Sequence, residues 1–243
     1  MAKKQLTLEQ KEQEITRLKG KLAESNNFLK SLTLIMIIVT IVYVVDEITS
    51  NINLMRPYMI YDLFKIPNAD ATTQEYADAI SKMAVATIPT YIITMLLPIY
   101  KSFSDKYGRK IFLVINVIGM GVGMLVCMVA PNYMAYIIGT VIFGFFTPND
   151  IQVIYIMECA PKQHRAKLCS ITKGLALISV SMLGLFVKLF VNDAVPSTWR
   201  NVFIIPIILA FIIGLAAIYF VKETPVYTQR RLQYLRSNEE DRK

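Results

Sequence analysis

The chain has 243 residues, of which 54% are hydrophobic and 18% charged, with a mean hydropathy of +0.45. An ordinary soluble domain carries about 25% charged residues; here the shortfall comes from long charge-free stretches, with the charges gathered between them. This pattern excludes a disordered chain, a collagen-like chain and a small disulfide-stapled secreted domain, and leaves a polytopic membrane protein.

In chain order, residues 1–28 read as a charged cytoplasmic helix with Ile15, Leu18 and Leu22 on one stripe. Three apolar positions suit a solvated helix whose lysines snorkel at the membrane surface better than a coiled coil or partner site. No small-residue cleavage pattern follows the first apolar run, so a signal peptide is not expected. Charge-free intervals then occupy Ser31–Val45, Met83–Tyr100, Ile111–Asn149, Gly174–Val187 and Asn201–Val221. A helix needs about 20 mostly apolar residues to cross about 30 Å of hydrocarbon. The third interval holds two crossings, broken at Pro131-Asn132. Six spans follow, near 30–55, 79–101, 110–130, 133–158, 167–191 and 200–221. They form a bundle over 29–221, and 222–243 begins a cytoplasmic loop.

Six spans put both termini on one side of the membrane. Basic residues gather in the leader, at Lys101, Lys106, Arg109 and Lys110, at Lys162, Arg165 and Lys167, and in the tail from Lys222. The positive-inside rule places these faces, and both termini, in the cytoplasm. The net charge of +8 is then a consequence of topology and no ground for nucleic-acid binding. The outer loop around Ile66–Asp78 is acidic and polar, without a ligand pattern.

Cys127, Cys159 and Cys169 imply no disulfide framework, and the single His164 builds no metal site with them at any familiar spacing. The sequence has no phosphate loop, nucleophile elbow or His-Glu-x-x-His run, so no enzyme is expected. Gly119, Gly121 and Gly123 alternate inside a span, where small residues let helices approach closely. Pro89, Pro98, Pro148 and Pro206 also fall inside spans, where membrane helices tolerate them.

The short connections carry the most specific signal. Between the second and third spans the chain reads Lys101-Ser-Phe-Ser-Asp105-Lys106-Tyr-Gly108-Arg109-Lys110. Gly108 suits a tight turn, with an acid and a base placed to pair across helix ends. After the fourth span comes Glu158-Cys-Ala-Pro161-Lys-Gln-His-Arg165-Ala166. Before the sixth comes Trp199-Arg200, and after it Glu223-Thr224-Pro225-Val226-Tyr227. The first element resembles the Gly-x-Leu-Ala-Asp-Arg-x-Gly-Arg-Arg loop of the major facilitator superfamily, with Lys101 where that loop opens on Gly. The other three resemble elements of its sugar-porter branch. The resemblance covers residues 30–227, in order and at the expected boundaries.

This resemblance implies an all-α membrane protein of six transmembrane helices as two three-helix repeats, half of a major-facilitator fold, in the plasma membrane. It implies a second six-span half, carried by a continuation of this chain, by a second chain or by another copy in a homodimer. The function implied is secondary active transport of a small polar organic solute, a sugar or organic ion, by alternating access. The partners are that solute, the lipid bilayer and, left open, a coupling proton; no cofactor is implied. The alternative is a non-transporting membrane scaffold or regulatory protein that retains the bundle, which the lost motif positions at Lys101 and Thr140 favour slightly. By resemblance, Asp105, Gly108, Arg109, Lys110, Glu158 and Arg165 form the cytoplasmic gating network.

Polar residues inside the membrane are costly and face a cavity or a partner. Asp46, Thr49, Ser50 and Asn53 recur at helical spacing on one face of the first span. Asp46 matches the family's acid on that span, which takes part in proton coupling in proton-coupled sugar porters. Its usual Arg partner on the fourth span is replaced by Thr140 in Gly139-Thr140-Val-Ile-Phe-Gly144. An acid without its cation binds a proton more tightly or finds another partner. Asp150 and Lys173 lie roughly 12 Å and 9 Å from the cytoplasmic ends of their spans, at 1.5 Å per residue, so they are expected to pair. The cavity candidates are therefore Asp46, Thr49, Asn53, Thr140, Asp150 and Lys173.

Overall fold

The structure, a computed structural model, describes residues 8–24, 28–51, 55–66, 73–85, 87–147, 151–192 and 194–240. The described residues contain no strand, only an isolated bridge between Asn192 and Val195. The helices are α1 (Leu8–Glu24), α2 (Phe28–Ser50), α3 (Arg56–Phe64), α4 (Gln74–Val85), α5 (Ile88–Thr94) and α6 (Leu97–Tyr107). They continue with α7 (Arg109–Val129), α8 (Tyr133–Phe146), α9 (Ile151–Cys159), α10 (Arg165–Phe190), α11 (Ile204–Phe220) and α12 (Pro225–Glu240). Among the described residues, five stretches are long and apolar enough to cross a membrane: Leu32–Ser50, Arg109–Val129, Tyr133–Cys159, Lys162–Phe190 and Pro196–Phe220. The bent run Gln74–Thr94 with Leu97–Tyr107 makes a sixth.

Local chemistry explains where these spans depart from the expected bounds. The described part of the first helix runs to Ser50, and Asn51 adds to it by donating both its backbone N–H (3.2 Å), a bond that continues the helical ladder, and its Nδ2 (2.8 Å) to the Glu47 carbonyl; residues 52–54 lie outside the described residues. The second bends by 40°. Pro89 and Pro98 sit in the first turns of α5 and α6, where a missing N–H costs nothing but cannot continue the preceding helix. Pro148 lies outside the described residues.

α2 runs through the middle of the bundle and packs on α7, α9, α10 and α11, with Val39, Val42 and Val45 fully buried. α7 packs on α8 and α11. A Cβ added at Gly123 would lie 2.5 Å from the backbone nitrogen of Phe143, and one at Gly139 2.7 Å from that of Cys127. On the α11 side, one at Gly121 would lie 3.0 Å from the Ala210 Cβ. The glycines thus let α7 lie against both neighbours at backbone distance, as the sequence suggests. Ile171, Leu175, Ile178, Leu185 and Leu189 of α10 and Ile208, Ile212 and Leu215 of α11 stay exposed, the pattern of faces turned to lipid.

Contacts follow a two-fold logic. The third span packs on the fourth as the sixth packs on the first, and the second touches the fourth as the fifth touches the first. Exchanging the first three spans with the last three leaves this pattern unchanged, as in two inverted three-helix repeats.

The leader and tail are less solvated than the sequence suggests. α12 buries Thr228, Leu232 and Leu235, and α1 lies along it, with Arg231 Nε 3.2 Å from Glu14 Oε1. Ile15 and Leu18 are half-buried.

Candidate functional site

At the basic end of the bundle the chain turns from α6 into α7 at Gly108, whose φ of +115° is natural only to glycine. Any Cβ there would run into the Glu223 carboxylate. Glu223 uses this space to cap α7: its Oε1 accepts from the backbone N–H groups of Arg109 (2.8 Å) and Lys110 (3.2 Å). These donors have no partner within the helix, and a carboxylate suits the positive end of the helix dipole.

Arg109 is the hub of this end, with its side chain 9% exposed. Its Nη2 lies 2.5 Å from Asp105 Oδ1 and 3.1 Å from Glu158 Oε1, and its Nη1 donates to Ser104 Oγ at 2.6 Å. Glu158 Oε2 in turn accepts from Thr224 Oγ1 at 2.6 Å. A planar fork with several donors can hold all of these at once, which a lysine cannot. One residue thereby ties the ends of the second, third and fourth spans to the segment after the sixth. Lys110 reaches the last turn of α11, donating from Nζ to the Ile218 carbonyl at 2.6 Å.

Of the six residues expected in the gating network, the hub brings together Asp105, Gly108, Arg109, Lys110 and Glu158, but not Arg165. The Arg165 Nε donates to the Ala160 carbonyl at 3.0 Å, closing the turn around Pro161, and the described residues offer it no acid. Glu223, Thr224 and Ser104 are additional members. All three lay within quoted motifs, Ser104 in the loop element before Asp105 and Glu223 and Thr224 in the element after the sixth span.

The opposite end repeats this chemistry. Arg200 opens the sixth span as Arg109 opens the third. Its Nη2 lies 2.8 Å from Asp62 Oδ2, and its Nη1 donates to the carbonyls of Met128 (2.8 Å) and Ala130 (2.6 Å) at the end of α7. Trp199 is fully buried and donates from Nε1 to Asp62 Oδ2 at 3.0 Å. Burial alone would raise the Asp62 carboxyl. The hydrogen bonds from Arg200 and Trp199, with the Arg200 and Lys65 charges, outweigh it and hold the group below its ordinary 3.8. The two-fold exchange maps Arg109–Glu158 onto Arg200–Asp62, and Lys110 on the end of α11 onto Arg200 on the end of α7.

Between these ends lie the membrane-embedded polar residues. Asp46 is buried, 7% exposed, and accepts from Gln152 Nε2 at 2.9 Å. With no arginine at position 140, an amide on α9 approaches the acid instead. Thr49 is fully buried, bonding its own helix at the Val45 carbonyl (2.6 Å) and Met124 Sδ (3.2 Å). Thr140 donates to the Ile137 carbonyl at 2.8 Å. Asn53 and Asp150 lie outside the described residues, so the expected Asp150–Lys173 pair does too. Lys173 pairs with Glu47 and lies 5.2 Å from the centre of the Tyr43 ring. Glu47 directly follows Asp46, and periodicity alone did not single it out.

A cavity of about 160 Å³ opens between the end of α2, the α4–α5 region, Arg56 and α8. Thr49, Ser50, Thr87, Thr90, Tyr136 and Thr140 contribute to its walls. Of the expected cavity residues it collects Thr49 and Thr140, but neither Asp46 nor Lys173. The described residues contain no cluster of metal-ligating side chains.

The family model for the Major Facilitator Superfamily matches residues 26–235. The chain is 28% identical over 148 residues to a Staphylococcus haemolyticus protein named "Putative proline/betaine transporter", covering 53% of this chain and 31% of that one. It is 25% identical over 123 residues to the human solute carrier family 2, facilitated glucose transporter member 12, covering 50% and 19%. Its fold is similar to that of the inward-open xylose transporter XylE from E. coli, with a TM-score of 0.63 at 17% identity over 88% of this chain and 57% of that one. A D-xylose-proton symporter superposes as well, with a TM-score of 0.63 at 18% identity over 86% and 53%. The chain therefore spans about half the length of these solved structures and less of the sequence relatives.

Proposed function

Because the chain belongs to the Major Facilitator Superfamily, we propose that it serves secondary transport of a small polar organic solute by alternating access, as the six-span half that rocks against a second half. The observation that carries this reading is the Arg109 hub, which fastens three spans and the segment after the sixth at one end of a multi-pass bundle. Such charge-assisted contacts have discrete alternatives, so their rearrangement releases one end of the bundle while the other stays closed.

The basic end faces the cytoplasm of a plasma-membrane protein, following the positive-inside rule. Similarity to the sugar transporters favours a sugar, and similarity to the proline/betaine protein keeps a small organic ion in the same class. Asp46, bonded to Gln152 and with no arginine at position 140, is the acid suited to carry a coupling proton. Lys173 and Glu47 supply a second charged pair, with the glutamate of the first span largely buried and the lysine half-exposed.

The test is uptake into liposomes holding the chain and its second half, with labelled xylose, glucose, proline and betaine, with and without an inward proton gradient. Uptake driven by the gradient and abolished by Asp46→Asn supports proton-coupled transport. Uptake unaffected by the gradient makes the protein a facilitator. No uptake of any member of the panel by a correctly assembled protein points to the scaffold reading.

A further inference from the structure

Among the described residues, one buried side-chain nitrogen or oxygen has no hydrogen-bond partner: Nε of Arg56. A guanidinium is charged at every physiological pH, and a donor left unmade away from water carries its full desolvation cost. The same residue lines the cavity of about 160 Å³ between the first, second and fourth spans. We infer that this cavity is a binding site for a small organic carboxylate, held by the Arg56 guanidinium.

Three observations fix the ligand class. The first is charge. Among the described residues Arg56 is the single ionised group on the cavity wall and no carboxylate lines it, and Thr140 stands where the family's motif would place a second cation. The second is donor geometry. A guanidinium offers several N–H donors in one plane and can meet a carboxylate with two parallel bonds. The surrounding hydroxyls of Thr49, Thr87, Tyr136 and Thr140 donate elsewhere, to Val45, Ala84, Met59 and Ile137, which leaves Arg56, with the hydroxyls of Ser50, Thr90 and Tyr91 beside it, to meet an anion. The third is size. A cavity of about 150 Å³ accepts a molecule as large as benzene, about six heavy atoms, which fits a three-carbon carboxylate such as propionate or lactate. Met83 and Phe143 on the wall give its carbon chain an apolar surface.

The inference goes beyond the transport reading and does not need it, because binding is read without a gradient and without uptake. Its test is calorimetric titration of the protein in lipid nanodiscs with propionate, lactate, propionamide and inorganic phosphate. Propionate or lactate should bind at least tenfold more tightly than propionamide, which has nearly the same shape without the charge. Arg56→Met should remove this preference, and Arg56→Lys should keep part of it. The ligand-free Arg56→Met protein should unfold at the same temperature as the wild type or higher, since an unpaired buried donor is gone; this separates lost binding from lost folding. Equal binding of propionamide and propionate, tighter binding of phosphate than of either carboxylate, or undiminished propionate binding by a folded Arg56→Met protein would each overturn the assignment.

Discussion

Single residues do their work here by reaching groups that the helices cannot satisfy themselves. Asp62 shows this most clearly, since three donors from Trp199 and Arg200 converge on one of its oxygens. Folding lowers its carboxyl below 3.8, so the folded state favours the ionised form. The resulting stability is complete above the unfolded value and is lost as pH falls through the lowered folded value. Asp62→Asn should therefore unfold at a lower temperature than wild type at pH 6, by the equivalent of about 1.5–3 kcal/mol for hydrogen bonds to charged groups. The gap should shrink once the pH drops below about 3.8. Thermal unfolding of both proteins from pH 6 to pH 3 measures it, and a gap constant over that range would contradict the role given to the ionised carboxylate.

Among the elements, α7 depends most on close packing. The Gly123–Phe143 and Gly139–Cys127 approaches are backbone to backbone, so a larger residue has no flexible side chain to push aside. Gly123→Val should cost at least about 1–3 kcal/mol, the usual range for overpacking, whereas Gly184→Ala, with open space around it, should change little. Detergent unfolding temperatures of the two variants test this contrast. The glycine stripe was legible in the sequence because its period is local. The bond of Asn51 to the Glu47 carbonyl was not, because it depends on one side chain folding back onto its own helix. The Asp105–Arg109 pair could be read from a short loop that sets an acid and a base on either side of the Gly108 turn. Asp62–Arg200 and Arg56 in its cavity could not, since residues distant in sequence meet only through the tertiary fold. Arg165 misled for the same reason: a motif lists the charges of a network without saying which one a nearby carbonyl will take.

For the whole molecule, the two-fold exchange that relates the helices also relates the two charged ends. Arg109 and Arg200 sit at opposite ends of the bundle, separated by roughly the 32 Å that 21 residues of helix rise. Their substitutions share no partner, so the stability losses of Arg109→Gln and Arg200→Gln should add within about 0.5 kcal/mol. A double-mutant cycle measured by unfolding checks this. Strong non-additivity would mean that strain passes along α7 from one end to the other, coupling the two ends through the static bundle.

The reciprocal capping of α7 also bears on how the protein is made. Glu223 closes the start of that helix and Arg200 its end, yet both lie about 70–90 residues downstream of its last turn. At a synthesis rate of about 5–20 residues per second, the third span spends roughly 4–14 s in the bilayer before either group has left the ribosome. Throughout that interval its terminal N–H and C=O groups rely on water and lipid headgroups. The half-made bundle is thus most exposed to quality control after its third crossing, and its last crossing is the step that seals the earlier one.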